Sequence, residues 1–190
     1  AEVKGTAVYE TVKDNLSAWV ASDDIFMKRL NGDIYKENTG AARFILCALA
    51  QRSMTKETWT DLWEYKQYEK SNNQVFIWTI EHIFPEGDNI PQEWVEMIAD
   101  GDRDLANEYL QKYVHKLGNL TVTGYNSALS NFSYEQKRDR TNKEGKYIGY
   151  RNGLEINLEL AGKQKWTVED IIERTKRLVK EVTEMFEFPE

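Results

Sequence analysis

Residues 75–85 read VFIWTIEHIFP, an apolar run that ends in an acid, a histidine and a proline. Its β-branched and aromatic content predicts a buried strand, and Pro85 predicts where that strand stops. His82, one of only two histidines in the chain, stands at that end beside Glu81. Adjacent residues of an ideal strand face opposite ways, so Glu81 and His82 can serve one site only where the strand bends or ends.

Working outward, a second short strand is predicted at NLTVT, residues 119–123, closed by Gly124. Between the two strands, Pro91 opens a short helix, and DRDLANEYLQKYVHKLG (102–118) forms another with Gly118 as its C-cap. After the second strand, Ser130 or Asn131 is suited to cap a helix that begins near residue 132. Antiparallel pairing of 75–83 with 119–123, with that helix across both, would bring His82, Asn119 and the helix start together. The C-terminal WTVEDIIERTKRLVKEVTEMF (166–186) is amphipathic, with Ile171, Ile172, Leu178, Val179, Val182 and Phe186 as its apolar stripe.

Upstream, residues 8–70 have helical spacing throughout, in YETVKDNLSAWV, AARFILCALA and TWTDLWEYKQY, with breaks at 38–40 and 53–55. Trp59, Trp63, Tyr65 and Tyr68 read there as helix-packing core rather than a base-stacking platform. The expected class is α+β, predominantly helical. Residues 1–73 read as a helical extension or a link to an upstream domain, and 74–190 as the domain that carries the chemistry.

Composition narrows the function. A hydrophobic share of 41% and six Trp among 190 residues support a real core. No apolar run approaches the ~18 residues of a membrane span and no secretory signal opens the chain, so a soluble, cytoplasmic protein is expected. Cys47 is the single cysteine, which excludes a disulfide or a cysteine-held zinc and predicts a small buried side chain. The start at Ala1, directly into helix-like sequence, points to a longer parent protein. A net charge of −7 argues against non-specific coating of nucleic acid, yet residues 112–151 hold eight Lys or Arg against three acids. That is the footprint of a basic face on an acidic body. No HExxH, Walker loop or nucleophile elbow is present.

Three segments, IEHIFP (80–85), HKLGNLTV (115–122) and NSALSNFSYEQKR (126–138), together with the pattern from Trp166 to Leu178, carry a family resemblance. The chain resembles the HNH, or His-Me finger, nucleases, and is most similar to the C-terminal HNH-like domain of GmrSD-type modification-dependent restriction enzymes, over about residues 74–186. The resemblance implies a ββα-metal core embedded among helices and a metal-dependent endonuclease that nicks or cuts double-stranded DNA, including modified phage DNA, in an anti-phage restriction system. It implies His82 as general base and Asn119 as the residue that orients it. Glu81 would be the carboxylate ligand of one Mg²⁺ or Mn²⁺ ion, with Asn131, or alternatively Asn126, as the amide ligand. Lys137 and Arg138 would position phosphate, and His115 would contact phosphate or hold its loop. An NTP-dependent upstream domain or subunit would be a partner, and products would carry 5′-phosphate and 3′-hydroxyl ends.

These residue types suit that chemistry. An imidazole with an ordinary pKa of about 6.5 can take a proton from water at neutral pH. Hard cations prefer oxygen ligands and keep several waters, so one carboxylate and one amide suffice. Three features depart from the family pattern: the zinc-binding cysteine pairs of many HNH nucleases are absent, the segment from His82 to Asn119 is long, and Glu replaces Asp before the histidine. The alternative of another class is a catalytically silent HNH-fold module for DNA binding or regulation. A helical protein-interaction domain is a third reading, supported by residues 8–70 alone.

Overall fold

A computed structural model describes residues 5–17, 22–67 and 74–187. The chain is α+β and mostly helical, with two separate two-stranded antiparallel sheets. None of the described helices is long and apolar enough to cross a membrane.

The N-terminal part supplies α1 (Gly5–Ser17), α2 (Asp23–Leu30), α3 (Ile34–Glu37) and α4 (Thr39–Gln51). Asn38 caps α4 by accepting from the Ala41 amide, and α4 buries Ala42, Ile45, Leu46, Cys47, Leu49 and Ala50. Cys47 is fully buried, as its apolar setting predicts. Helical structure stops at Gln51, earlier than the spacing predicts. Residues 52–64 form turns, and β1 (Tyr65–Gln67) pairs with β2 (Gln74–Phe76). The side chains of Thr58 and Asp61 accept from nearby amides, of Thr55 and Trp63, and offer the backbone an alternative to helix. Trp59, Trp63 and Tyr65 are consequently exposed at 61%, 37% and 51%, not core; Tyr68 lies outside the described residues.

The apolar run of 75–85 is likewise not one strand. It turns at Ile77–Trp78, so β2 belongs to the first sheet and β3 (Thr79–His82) to the second. Arg43 of α4 anchors the turn, its guanidinium donating to the carbonyls of Trp78 and Leu62. β3 pairs with β4 (Leu120–Thr123) in antiparallel register, Glu81 opposite Thr121 and His82 opposite Leu120.

Between these strands run α5 (Gln92–Ala99), capped by Pro91, and α6 (Arg103–Tyr113), capped by Asp102. α6 ends before Gly118, which lies instead in a 3₁₀ turn, Leu117–Asn119. Its lack of a side chain is needed there for another reason: a Cβ would collide with the Ile171 carbonyl and with Thr175. After β4 come α7 (Asn126–Leu129) and α8 (Tyr134–Asp139). Ser133, rather than Ser130 or Asn131, caps α8, in a reciprocal box with Gln136. Ser130 has φ 40°, a left-handed conformation incompatible with a cap. α9 (Glu155–Gly162) precedes α10 (Val168–Met185), which Thr167 and Asp170 cap reciprocally. α10 lays Ile171, Leu178, Val179 and Val182 on the body, while Ile172 is half-buried and Phe186 exposed.

The buried side chains form two cores. One gathers Leu30, Leu46 and Leu62 with Ile80, Leu120, Val122 and Val182; the other gathers Ile83, Phe84, Trp94, Leu110, Tyr134 and Trp166. The chain passes from the first to the second between Ile80 and Ile83. Glu81 and His82 occupy that seam.

Candidate active site

β3 ends at His82 because the next residues are taken by Asn119 rather than by a strand partner. The Asn119 backbone carbonyl accepts from the Ile83 amide at 2.9 Å, and its side chain then holds Phe84 at both ends. Oδ1 accepts from the Phe84 amide at 2.8 Å, and Nδ2 donates to the Phe84 and Val114 carbonyls at 2.9 and 3.0 Å. Asn119 is fully buried and does not line the cleft; it sets the path of the chain leaving His82.

The cleft beside β3 has a volume of about 200 Å³, with Tyr35, Glu81, His82, Glu86, Asn126, Asn131 and Lys137 among its lining residues. Both residues of the EH pair reach it, despite the opposed directions of neighbours on a strand. Asn126 opens α7 and donates through Nδ2 to the Ile80 carbonyl at 2.6 Å, which leaves its Oδ1 as the free end of the amide. Asn131 lines the cleft beside Gly87; a Cβ on Gly87 would lie 3.0 Å from its Nδ2.

Glu81 is buried and ion-paired with Lys137, Oε1 to Nζ 2.7 Å. The Lys137 ammonium also donates to the carbonyls of His82 at 2.8 Å and Ile83 at 3.3 Å, so all three of its protons have acceptors. Burial raises the Glu81 carboxyl to about 7, against the opposing pull of Lys137. Burial lowers the Lys137 ammonium, and Glu81 opposes that shift. The three acceptors around Nζ hold Lys137 in place against Glu81. The expected phosphate-positioning cations are therefore placed inside the protein: Lys137 as described, and Arg138, only 4% exposed, on the Lys163 carbonyl, Gln164 and Asp139.

His82 is 8% exposed, and both ring nitrogens have neighbours: Nε2 faces His115 Nδ1 at 3.4 Å and Nδ1 faces Glu86 Oε2 at 3.5 Å. Burial first, then the nearby His115 and Lys137, depress its pKa to about 3, so the ring is neutral at physiological pH. Tyr35 packs edge-on against His82 at 4.5 Å and stacks on His115 at 5.4 Å. Burial and Glu86 raise the Tyr35 phenol. Sequence reasoning missed Tyr35 and Glu86. Glu86 follows Pro85 four residues after His82, a visible spacing; no signal in the sequence links Tyr35 to the strand.

The donor set fits a hard cation on one side, with the Glu81 carboxylate and the two Asn amides all lining the cleft. On the other side the two imidazoles and Glu86 form a nitrogen-rich cluster.

No curated protein and no solved structure matches the chain. The family described as "GmrSD restriction endonucleases, C-terminal domain" matches residues 20–181, a span that includes both strands of the site, α4, the cleft and most of α10. The chain belongs to the family of GmrSD restriction endonuclease C-terminal domains.

Proposed function

We propose that this domain is a metal-dependent DNA endonuclease of the HNH type, with β3, β4 and the helices that follow as its ββα-metal core, acting in restriction of phage DNA. The observation that carries this reading is the meeting of Glu81, His82, Asn126 and Asn131, drawn from separate segments, on one cleft of phosphate-accommodating size.

His82 acts as general base. Its neutral ring takes a proton from water when the half-exposed Glu86 swings away from Nδ1, and the negative charge of an arriving phosphodiester raises its basicity from the resting value. The water oxygen forms the new bond to phosphorus, the bond to the 3′-oxygen breaks, and that oxygen takes a proton from solvent. The ends produced are 5′-phosphate and 3′-hydroxyl. Glu81 and Asn131, with Asn126 as the further amide, would hold one Mg²⁺ or Mn²⁺, which supplies Lewis-acid stabilisation of charge on the phosphate. Lys137 holds Glu81 at the wall, and Asn119 positions His82 through Phe84. His115 backs the base from the far side. DNA contacts by Lys137 or Arg138 would require each to leave its internal partners, so the approach of the duplex falls to other cations of the basic 112–151 segment. An NTP-dependent partner domain would deliver the substrate.

The test is conversion of supercoiled plasmid by the wild-type chain and by His82→Ala, with Mg²⁺ or Mn²⁺. Metal-dependent nicking that disappears in the variant is expected. Equal activity in both refutes His82 as base, while DNA binding without cleavage under any metal favours the silent binding module.

A further inference from the structure

The two histidines of the chain are separated by 33 positions, yet the fold sets their rings side by side with a carboxylate between strand end and turn. One donor atom from each of His82, Glu86 and His115 lies within 4.8 Å of the others. The nearest approaches engage different atoms, His82 Nε2 to His115 Nδ1 at 3.4 Å, His82 Nδ1 to Glu86 Oε2 at 3.5 Å and His115 Nε2 to Glu86 Oε1 at 3.9 Å, so a set with one donor from each residue is looser than these and has to draw in. Tetrahedral coordination with metal–nitrogen bonds of about 2.1 Å places its donors about 3.4 Å apart. Tyr35 packs on both rings and its amide donates to the His115 carbonyl at 3.5 Å, which fixes the imidazoles before any ion arrives. Glu86, half exposed on its turn, is the ligand free to travel and close the set.

We propose that His82, Glu86 and His115 form a second cation site, selective for zinc-class transition ions, whose occupancy withdraws His82 from water activation. Two imidazoles and one carboxylate suit Zn²⁺ and its neighbours, whereas Mg²⁺ prefers the oxygen donors of Glu81 and the two Asn amides. The two sites share the cleft but not a ligand. Zinc-class ions therefore inhibit by occupying the base, without displacing Mg²⁺. This inhibitory consequence rests on His82 acting as the base; the binding site itself does not.

The experiment uses the whole chain with Mg²⁺ in excess, Co²⁺ as an optical probe and Zn²⁺ by calorimetry. One equivalent of Co²⁺ is expected to bind with the visible absorption of a low-coordinate nitrogen and oxygen site. Glu86→Gln and His115→Gln are expected to weaken Zn²⁺ by at least about tenfold, and Asn131→Ala to leave it unchanged. Circular dichroism of each variant establishes that it is folded. Absence of binding, or equal binding in folded Glu86→Gln and His115→Gln, overturns the site. In the second arm, stoichiometric Zn²⁺ is expected to suppress Mg²⁺-supported nicking, with about ten times more needed for Glu86→Gln. Nicking that persists with Zn²⁺ bound overturns the inhibitory role and leaves the nuclease reading intact. A chain that binds Co²⁺ as described but nicks under no condition sustains the site, overturns the inhibitory role and counts against the nuclease reading.

Discussion

Lys137 places its ammonium 2.7 Å from Oε1 of Glu81 with both side chains almost wholly out of water, at 1% and 3% exposure. An isolated charge in that position is far more costly than the pair. Lys137→Met therefore destabilises the fold by about 3–5 kcal/mol, measured as a fall in the denaturant midpoint, because it leaves buried Glu81 and the carbonyls of His82 and Ile83 without their donor. The double variant Lys137→Met, Glu81→Leu recovers much of that loss, since a buried pair replaced by apolar groups is close to neutral.

Asn119 makes three buried hydrogen bonds to the backbone around Phe84 and Val114. Asn119→Ala strands those three backbone groups and costs at least about 3 kcal/mol, at about 1–3 kcal/mol for each buried group left unsatisfied. Hydrogen exchange locates the effect: the Phe84 amide loses its protection first, and nicking falls further than global stability alone explains.

Gly118→Ala drives a methyl group into the Ile171 carbonyl and the Thr175 backbone. Overpacking of this kind costs about 1–3 kcal/mol or more, and because the obstacle is α10 backbone the helix must shift. A lowered melting temperature with retained helical content is the expected signature.

Asp170 closes the cap of α10. Burial favours its neutral form, but hydrogen bonds from Lys163 and Thr167 outweigh that and hold its pKa below the ordinary aspartate value. A folded pKa below the unfolded one, about 3.9, gives stability that is fully present above that pH and lost as pH falls through the folded value. Denaturant curves of wild type and Asp170→Asn should be separated at pH 6 to 7 and converge below about pH 4. A constant gap down to pH 2 would show that the carboxylate contributes through shape alone.

The parts of the fold that were legible in sequence are those fixed by strong local pattern. NLTVT became β4, the 166–186 stripe became α10, and the TIEH stretch became β3, antiparallel to β4 and ended before Pro85. The errors lie where one long-range contact overrides local preference. Arg43 reaches from α4 to the Trp78 carbonyl and breaks the apolar run in two, and nothing in VFIWTIEHIF records that arginine. Helical spacing in TWTDLWEYKQY likewise lost to hydroxyl and carboxylate side chains that bond their own backbone. Within the cleft, EH and the two Asn residues were visible as candidates. Tyr35 was not, since packing against a ring leaves no motif, and Glu86 offered only its spacing of four residues from His82.

Asn119 lies between Leu117 and Leu120 of one core, and its amide grips Phe84 and Val114 of the other. One side chain thus ties together two packing units that α10 also spans, with Ile171 in one and Leu178, Val179 and Val182 in the other. Its consequence is cooperativity: neither core can loosen without shifting the residue that follows His82, so the two halves melt together. A lesion in either core that displaces Asn119 is then felt in the backbone that follows His82.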